Sequence, residues 1–125
     1  MASELILIIE DDVHIGGLVT QVLREAGHAA AVVKDVDAAR AEAAAGLRPA
    51  AIISDLVIAG AEDPARLADD IAAIFPGVPV TLMTGVPPKR RAHLGVTHDR
   101  ILEKPFELEA LLQAVSAMLR DGAAR

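Results

Sequence analysis

From Ala50 to Val57 the chain reads Ala-Ala-Ile-Ile-Ser-Asp-Leu-Val, an apolar run that carries one carboxylate, Asp55, near its end. A continuous apolar run suits a strand covered on both faces, as in a parallel sheet, and open α/β sheets gather their ligands at the carboxyl ends of such strands. The arrangement recurs along the chain. Leu5 to Ile9 runs into Glu10-Asp11-Asp12, Val80 to Met83 runs into Thr84-Gly85, and Ile101-Leu102 is followed by Glu103-Lys104-Pro105. Carboxylates, a hydroxyl and an ammonium are thus each delivered by the end of a different strand.

Helical signals separate the runs. Asp12 is placed to cap a helix with Ile15, Leu18, Val19, Val22 and Leu23 on one face and Gly27 at its end. A second strand is expected at about Ala29 to Val33, then an Ala-rich helix capped by Asp35 or Asp37 and stopped at Gly46. Beyond the Asp55 strand, a loop through Gly60 leads to a helix opening near Pro64, with Leu67, Ile71, Ile74 and Phe75 inward and Pro76-Gly77 as its stop. The fourth strand reads as about Pro79 to Met83. The last helix spans about Glu107 to Arg120, with a stripe of Leu108, Leu111, Leu112, Val115 and Leu119; Arg120 suits the negative end of its dipole. Between Val86 and Arg100 the signal weakens. Pro87-Pro88 opens a helix, but Lys89, Arg90 and Arg91 then sit at its positive end, so a short, irregular or mobile element is expected. Five βα repeats imply an α/β fold, a doubly wound parallel five-stranded sheet with helices on both faces. One domain over residues 1–121 is expected, with 122–125 as a frayed tail.

Composition narrows the function classes. Apolar residues make up 53% of the 125 but aromatics only 2%, so the core must be built from Leu, Ile, Val and Ala. The absence of Cys excludes disulfides and thiolate metal sites. A net charge of -6 argues against a nucleic-acid-binding surface. No apolar run approaches the roughly 20 residues that span a bilayer, and no basic region precedes the first one, so neither a membrane segment nor a signal peptide is expected. A cytoplasmic location follows as the expectation.

The strand ends carry the chemistry. Glu10, Asp11 and Asp55 would converge on one edge, where three carboxylates repel one another and need a cation or raised pKa values. Hard oxygen donors without Cys or clustered His favour Mg2+. Thr84 is placed to donate to a bound anion and Lys104 to neutralise it, with the backbone N–H groups after Asp55 and Thr84 as further donors. Such a set suits phosphoryl transfer with a carboxylate as nucleophile.

Four segments in this order resemble the response-regulator receiver domain over almost the whole chain. They are Ile8-Ile9-Glu10-Asp11-Asp12, Ser54-Asp55-Leu56, Met83-Thr84-Gly85 and Lys104-Pro105-Phe106. The resemblance implies a flavodoxin-like (βα)5 fold with strand order 2-1-3-4-5. It implies that Asp55 accepts a phosphoryl group from a sensor histidine kinase or a histidine phosphotransfer protein. Asp11 and Glu10 would hold Mg2+, Glu10 through water, with the backbone carbonyl of Val57 completing the protein's share. Thr84 and Lys104 would act on the phosphoryl group, and Lys104 would precede a cis peptide to Pro105. A signalling domain is expected rather than an enzyme, with self-dephosphorylation only. With no output segment, it would act through a downstream protein effector, and a weak homodimer is compatible; nucleic acid and membrane are not expected partners. Three positions depart from the family: Ala59 where Pro is common, Gly85 where Ala is commoner, and Ile101 where an aromatic usually accompanies the threonine's movement.

Two other readings are compatible with parts of the pattern. A haloacid-dehalogenase-like phosphohydrolase also uses an aspartate, Mg2+, a hydroxyl and a lysine, but needs a second aspartate where Val57 stands. A phosphorylation-independent docking module has no need of the complete set. Dinucleotide and P-loop readings fail because no glycine-rich loop follows the first strand. His14, His28, His93 and His98 read as surface residues, and Lys89-Arg90-Arg91 as a solvated face.

Overall fold

A computed structural model describes residues 4–57 and 63–123. In chain order the elements are β1 (Leu5–Ile9), α1 (Val13–Glu25), β2 (Ala29–Val33), α2 (Val36–Ala44), β3 (Ala51–Asp55), a 3-10 turn (Pro64–Arg66) running into α3 (Leu67–Ile74), β4 (Val80–Thr84), α4 (Pro88–His93), β5 (Ile101–Glu103) and α5 (Leu108–Ala123). The strands form one parallel sheet in the order 2-1-3-4-5. This is the flavodoxin-like arrangement expected from the sequence. Register aligns the strand ends: Ile9 lies beside Ser54, Asp55 beside Met83, and Thr84 beside Glu103.

The apolar runs are continuous because both faces of the sheet are covered. Side chains alternate sides along a strand. Ile6, Ile8, Ile53 and Met83 pack with Val19 and Leu23 of α1 and Leu111, Val115 and Met118 of α5. Leu7, Ile9, Ile52 and Leu82 pack on the other face with Val36 and Ala39 of α2 and Leu67 and Ile71 of α3. Helix ends follow local chemistry. Asp12 Oδ1 accepts from the N–H groups of His14 and Ile15 at 2.9 and 3.1 Å. Asp35 rather than Asp37 caps α2, accepting from Ala38 N–H at 2.7 Å, while Asp37 pairs with Arg40. Gly27 and Gly46 follow α1 and α2 with φ of 96° and 103°, a region that residues with a Cβ rarely enter.

Several expectations are corrected. Leu18 is 57% exposed; the buried side of α1 is Gly16, Val19, Thr20, Val22 and Leu23. Gly16 sets that side, because a Cβ there would stand 3.2 Å from Val32 Cγ1 and so keep the helix from approaching β2. Leu108 is 54% exposed, whereas Met118 is fully buried. Leu108 has the right spacing but opens the helix at the carboxyl edge of the sheet, where no strand remains to cover it. β4 starts at Val80, one residue later than expected, because Pro79 has no N–H; its carbonyl still accepts from Ile52 at 3.0 Å. α4 is short, as expected, with six residues. First and last turns overlap in so short a helix, so its cations are near both ends and the dipole no longer opposes them. His98 is half-buried, and its Nε2 donates to the Val80 carbonyl at 2.7 Å.

Candidate functional site

Glu10, Asp11 and Asp55 each offer a carboxylate oxygen, and the three atoms lie within 4.8 Å of one another. Glu10 follows β1 directly, and its N–H is held by the Val33 carbonyl of β2 at 2.9 Å. Its side chain is buried, with Oε1 accepting from Asp12 N–H at 3.1 Å. Oε2 is buried and receives no hydrogen bond; the Lys104 ammonium at 3.7 Å is too far to make one. Burial pushes the Glu10 carboxyl above its ordinary value, the charge of Asp55 and the neighbouring Asp11 carboxyl add to the rise, and the Asp12 N–H and Lys104 offset part of it. Asp11 is exposed and Asp55 half-buried. Lys104 Nζ lies 3.3 Å from Asp55 Oδ1 and so stands between the two carboxylates of different strands.

An orphaned buried carboxylate oxygen next to two further carboxylates fits a small hard cation. Oxygen-only donors, one buried and two accessible, suit Mg2+, which keeps several of its waters. Val57, two residues beyond Asp55, is 64% exposed. Ala59 and Gly60 lie outside the described residues.

Thr84 is buried at the end of β4. Its hydroxyl oxygen accepts from Val86 N–H at 2.9 Å, and its carbonyl accepts from Lys104 N–H at 2.8 Å. Among the described residues this hydroxyl makes no hydrogen bond to Asp55. The N–H after Asp55 is not a free donor, contrary to expectation: Leu56 N–H is spent on the Met83 carbonyl at 2.8 Å, continuing the sheet. The Lys104–Pro105 peptide is cis, and Phe106 packs on the core beneath α1 and α5.

Two residues of the site were not legible as such. Gly16 lies alongside Glu10: a Cβ there would approach Val32 Cγ1 tightly, at 3.2 Å, and would be in ordinary contact, at 3.8 Å, with Glu10 Cβ and Cγ. Arg91 was expected on a solvated face. Instead its side chain is 13% exposed, with Nη1 donating to the Val86 carbonyl at 2.6 Å and lying 3.6 Å from Glu103 Oε2. Nothing in the run Lys89-Arg90-Arg91 distinguishes the cation that turns inward.

Comparison with known proteins agrees with this arrangement. The family profile of the response regulator receiver domain matches residues 6–116. The nitrogen assimilation regulatory protein NtrX of Azorhizobium caulinodans is 34% identical over 110 residues, which cover 86% of this chain and 24% of that protein. The chain therefore spans about a quarter of the length of that relative. A response regulator receiver protein from Sinorhizobium medicae superposes with a TM-score of 0.80 at 25% identity, over 96% of this chain and 97% of that one. The chemotaxis protein CheY4 of Vibrio cholerae superposes with a TM-score of 0.77 at 24% identity, over 94% of this chain and all of that one, 100%. With the profile spanning most of the chain, and its four polar strand ends brought to one edge of a 2-1-3-4-5 sheet, the chain belongs to the response regulator receiver domain family.

Proposed function

We propose that Asp55 accepts a phosphoryl group from a phosphohistidine on a sensor histidine kinase or a histidine phosphotransfer protein, and that the phosphorylated domain then signals to a protein effector. The observation that carries this reading is the pairing of a half-buried Asp55 with Lys104 at 3.3 Å beside the unpartnered Oε2 of Glu10. One carboxylate is then accessible as a nucleophile, and its surroundings offer oxygen donors suited to a cation. In the transfer, an Asp55 carboxylate oxygen forms a bond to phosphorus as the donor's N–P bond breaks, and the electron pair returns to the imidazole. Lys104 neutralises charge on the phosphoryl oxygens, and Thr84 turns its O–H toward one of them. Glu10, Asp11, Asp55 and the Val57 carbonyl would hold Mg2+, which when bound screens the repulsion between Asp55 and the incoming phosphoryl group. We assign the receiver unit to residues 1–121, but α5 runs on to Ala123, so residues 122 and 123 continue the helix and, contrary to expectation, do not begin a frayed tail. A phosphohydrolase is less well supported, since Val57 occupies the place where that chemistry needs an acid.

Incubation with Mg2+ and acetyl phosphate tests the reading. One phosphoryl group should be added, detected by intact mass. Asp55→Asn should abolish the addition, and Asp11→Asn should weaken labelling and its Mg2+ dependence together. Undiminished labelling of Asp55→Asn would refute the assignment.

A further inference from the structure

α4 carries three consecutive cations, and one of them is withdrawn from solvent. Arg91 Nη1 holds the Val86 carbonyl at 2.6 Å, and Val86 in turn donates its N–H to the Thr84 hydroxyl oxygen at 2.9 Å. The same guanidinium lies 3.6 Å from Glu103. Glu103 is the β5 neighbour of Thr84 and immediately precedes Lys104. A single side chain therefore bridges the two segments that supply Thr84 and Lys104, by a hydrogen bond on the Val86 side and by a longer ion pair on the Glu103 side. A charged donor at short distance makes one of the stronger hydrogen bonds, and low exposure keeps competing water away from it.

We propose that Arg91 is a positioning residue that latches the Asp55 site in its resting arrangement and couples that site to α4; this rests on the phosphoryl-accepting reading above. A hydroxyl has one proton to donate and can accept as well. Drawing Thr84 toward an anion on Asp55 must therefore either stretch the Val86 N–H bond or carry Val86 along. Arg91 opposes the second course, because the Val86 carbonyl is bonded to a largely buried guanidinium that also lies in ion-pair range of Glu103. Occupancy of the site then either breaks the Arg91 contact or moves α4 together with the loop. Ile101 packs on the same core as Val86 and Val96, and its β-branched side chain is stiff and cannot swing into space left by Thr84 as a ring would. The hydrogen-bonded route through Arg91 takes its place. A contact made only in the resting arrangement weakens anion binding by its own stabilising factor, and its removal strengthens binding by that factor. The sign separates a latch from a prop, since a residue that merely supports the site loses affinity when deleted.

Beryllofluoride titrated at fixed Mg2+ into the wild type, Arg91→Ala, Glu103→Gln and Asp55→Asn tests this, followed by amide chemical shifts of Thr84, Val86 and α4. Binding by the wild type and its loss in Asp55→Asn reports on the phosphoryl reading alone. The latch is judged on the other two variants. Arg91→Ala should bind about three- to tenfold more tightly, the scale of one partly buried hydrogen bond. Its α4 shifts on binding should shrink while those of Thr84 persist, and Glu103→Gln should move affinity in the same direction by less. Unchanged or weaker affinity in Arg91→Ala, or α4 shifts of wild-type size, overturns the proposal. Should Arg91→Ala not fold, Glu103→Gln decides alone on the sign of its affinity change. Should the wild type bind no beryllofluoride, amide exchange without ligand decides: faster exchange at Val86 N–H in either variant supports the latch, and an unchanged rate overturns it.

Discussion

At Glu10 a carboxylate is buried with one oxygen unpartnered, and its pKa lies above the ordinary value of 4.5, chiefly through burial. A carboxyl raised in the folded state binds more protons folded than unfolded between its two pKa values, so it subtracts stability as pH rises above 4.5. In chelator, Glu10→Gln should therefore melt higher than the wild type at neutral pH, and the gap should close as pH falls through 4.5. Mg2+ should raise the wild-type Tm more than that of the variant. Equal melting at neutral pH would show that the burial carries no such cost. Val57 and Val86 concern the lifetime of the phosphorylated form. Val57 lies two residues beyond Asp55, the proposed acceptor, and Val86 two beyond Thr84, and neither valine side chain can hydrogen-bond a water attacking the proposed aspartyl phosphate. Self-dephosphorylation should be slow, and Val57→Asn should speed it by about one power of ten by orienting that water. The check is the decay of phosphorylated protein after donor removal at fixed Mg2+; a variant that decays no faster counts against the account.

Among the elements, α5 shows how far a stripe is a statement about burial. Leu108, Leu111, Val115 and Met118 share one row by spacing, yet Leu108 is 54% exposed while the other three are buried. Deleting the Leu108 side chain removes little buried surface, whereas deleting that of Met118 leaves a cavity beside β4, where Thr81 Oγ1 contacts the Met118 sulfur at 3.2 Å. Urea unfolding should give a loss within about 0.5 kcal/mol for Leu108→Ala and of about 2–5 kcal/mol for Met118→Ala. Comparable losses for the two would mean that Leu108 is covered in solution. α1 and α2 differ from α5 in that their starts were readable from capping candidates, Asp12 for α1 and Asp35 or Asp37 for α2, because an Asp cap is satisfied by N–H groups two or three residues away. α4 has no side-chain cap at all, and its placement depends on contacts with the β4 end and β5 that no local rule describes.

On the scale of the whole molecule, the sheet order and register turn four dispersed segments into one edge. The sequence alone determined much of this. Continuous runs of Ile, Leu and Val suit a two-sided sheet, Asp12 marks one helix start and Asp35 or Asp37 another, and Glu10, Asp11, Asp55, Thr84 and Lys104 stood out because each follows or ends a run. Local periodicity and capping involve partners within a turn of the chain, so they can be read without knowing the rest. What only the tertiary structure decided involves partners far along the chain. The exposure of Leu18 and Leu108 depends on where neighbouring strands lie or end. The bond of His98 to the Val80 carbonyl and the commitment of Leu56 N–H to Met83 depend on which strand edges are left open. Arg91 turned inward, unlike the exposed Lys89 and Arg90, because the Val86 carbonyl and Glu103 meet beside it. Periodicity states the direction of a side chain relative to its own element, whereas what it meets there is set by the packing of elements distant in sequence.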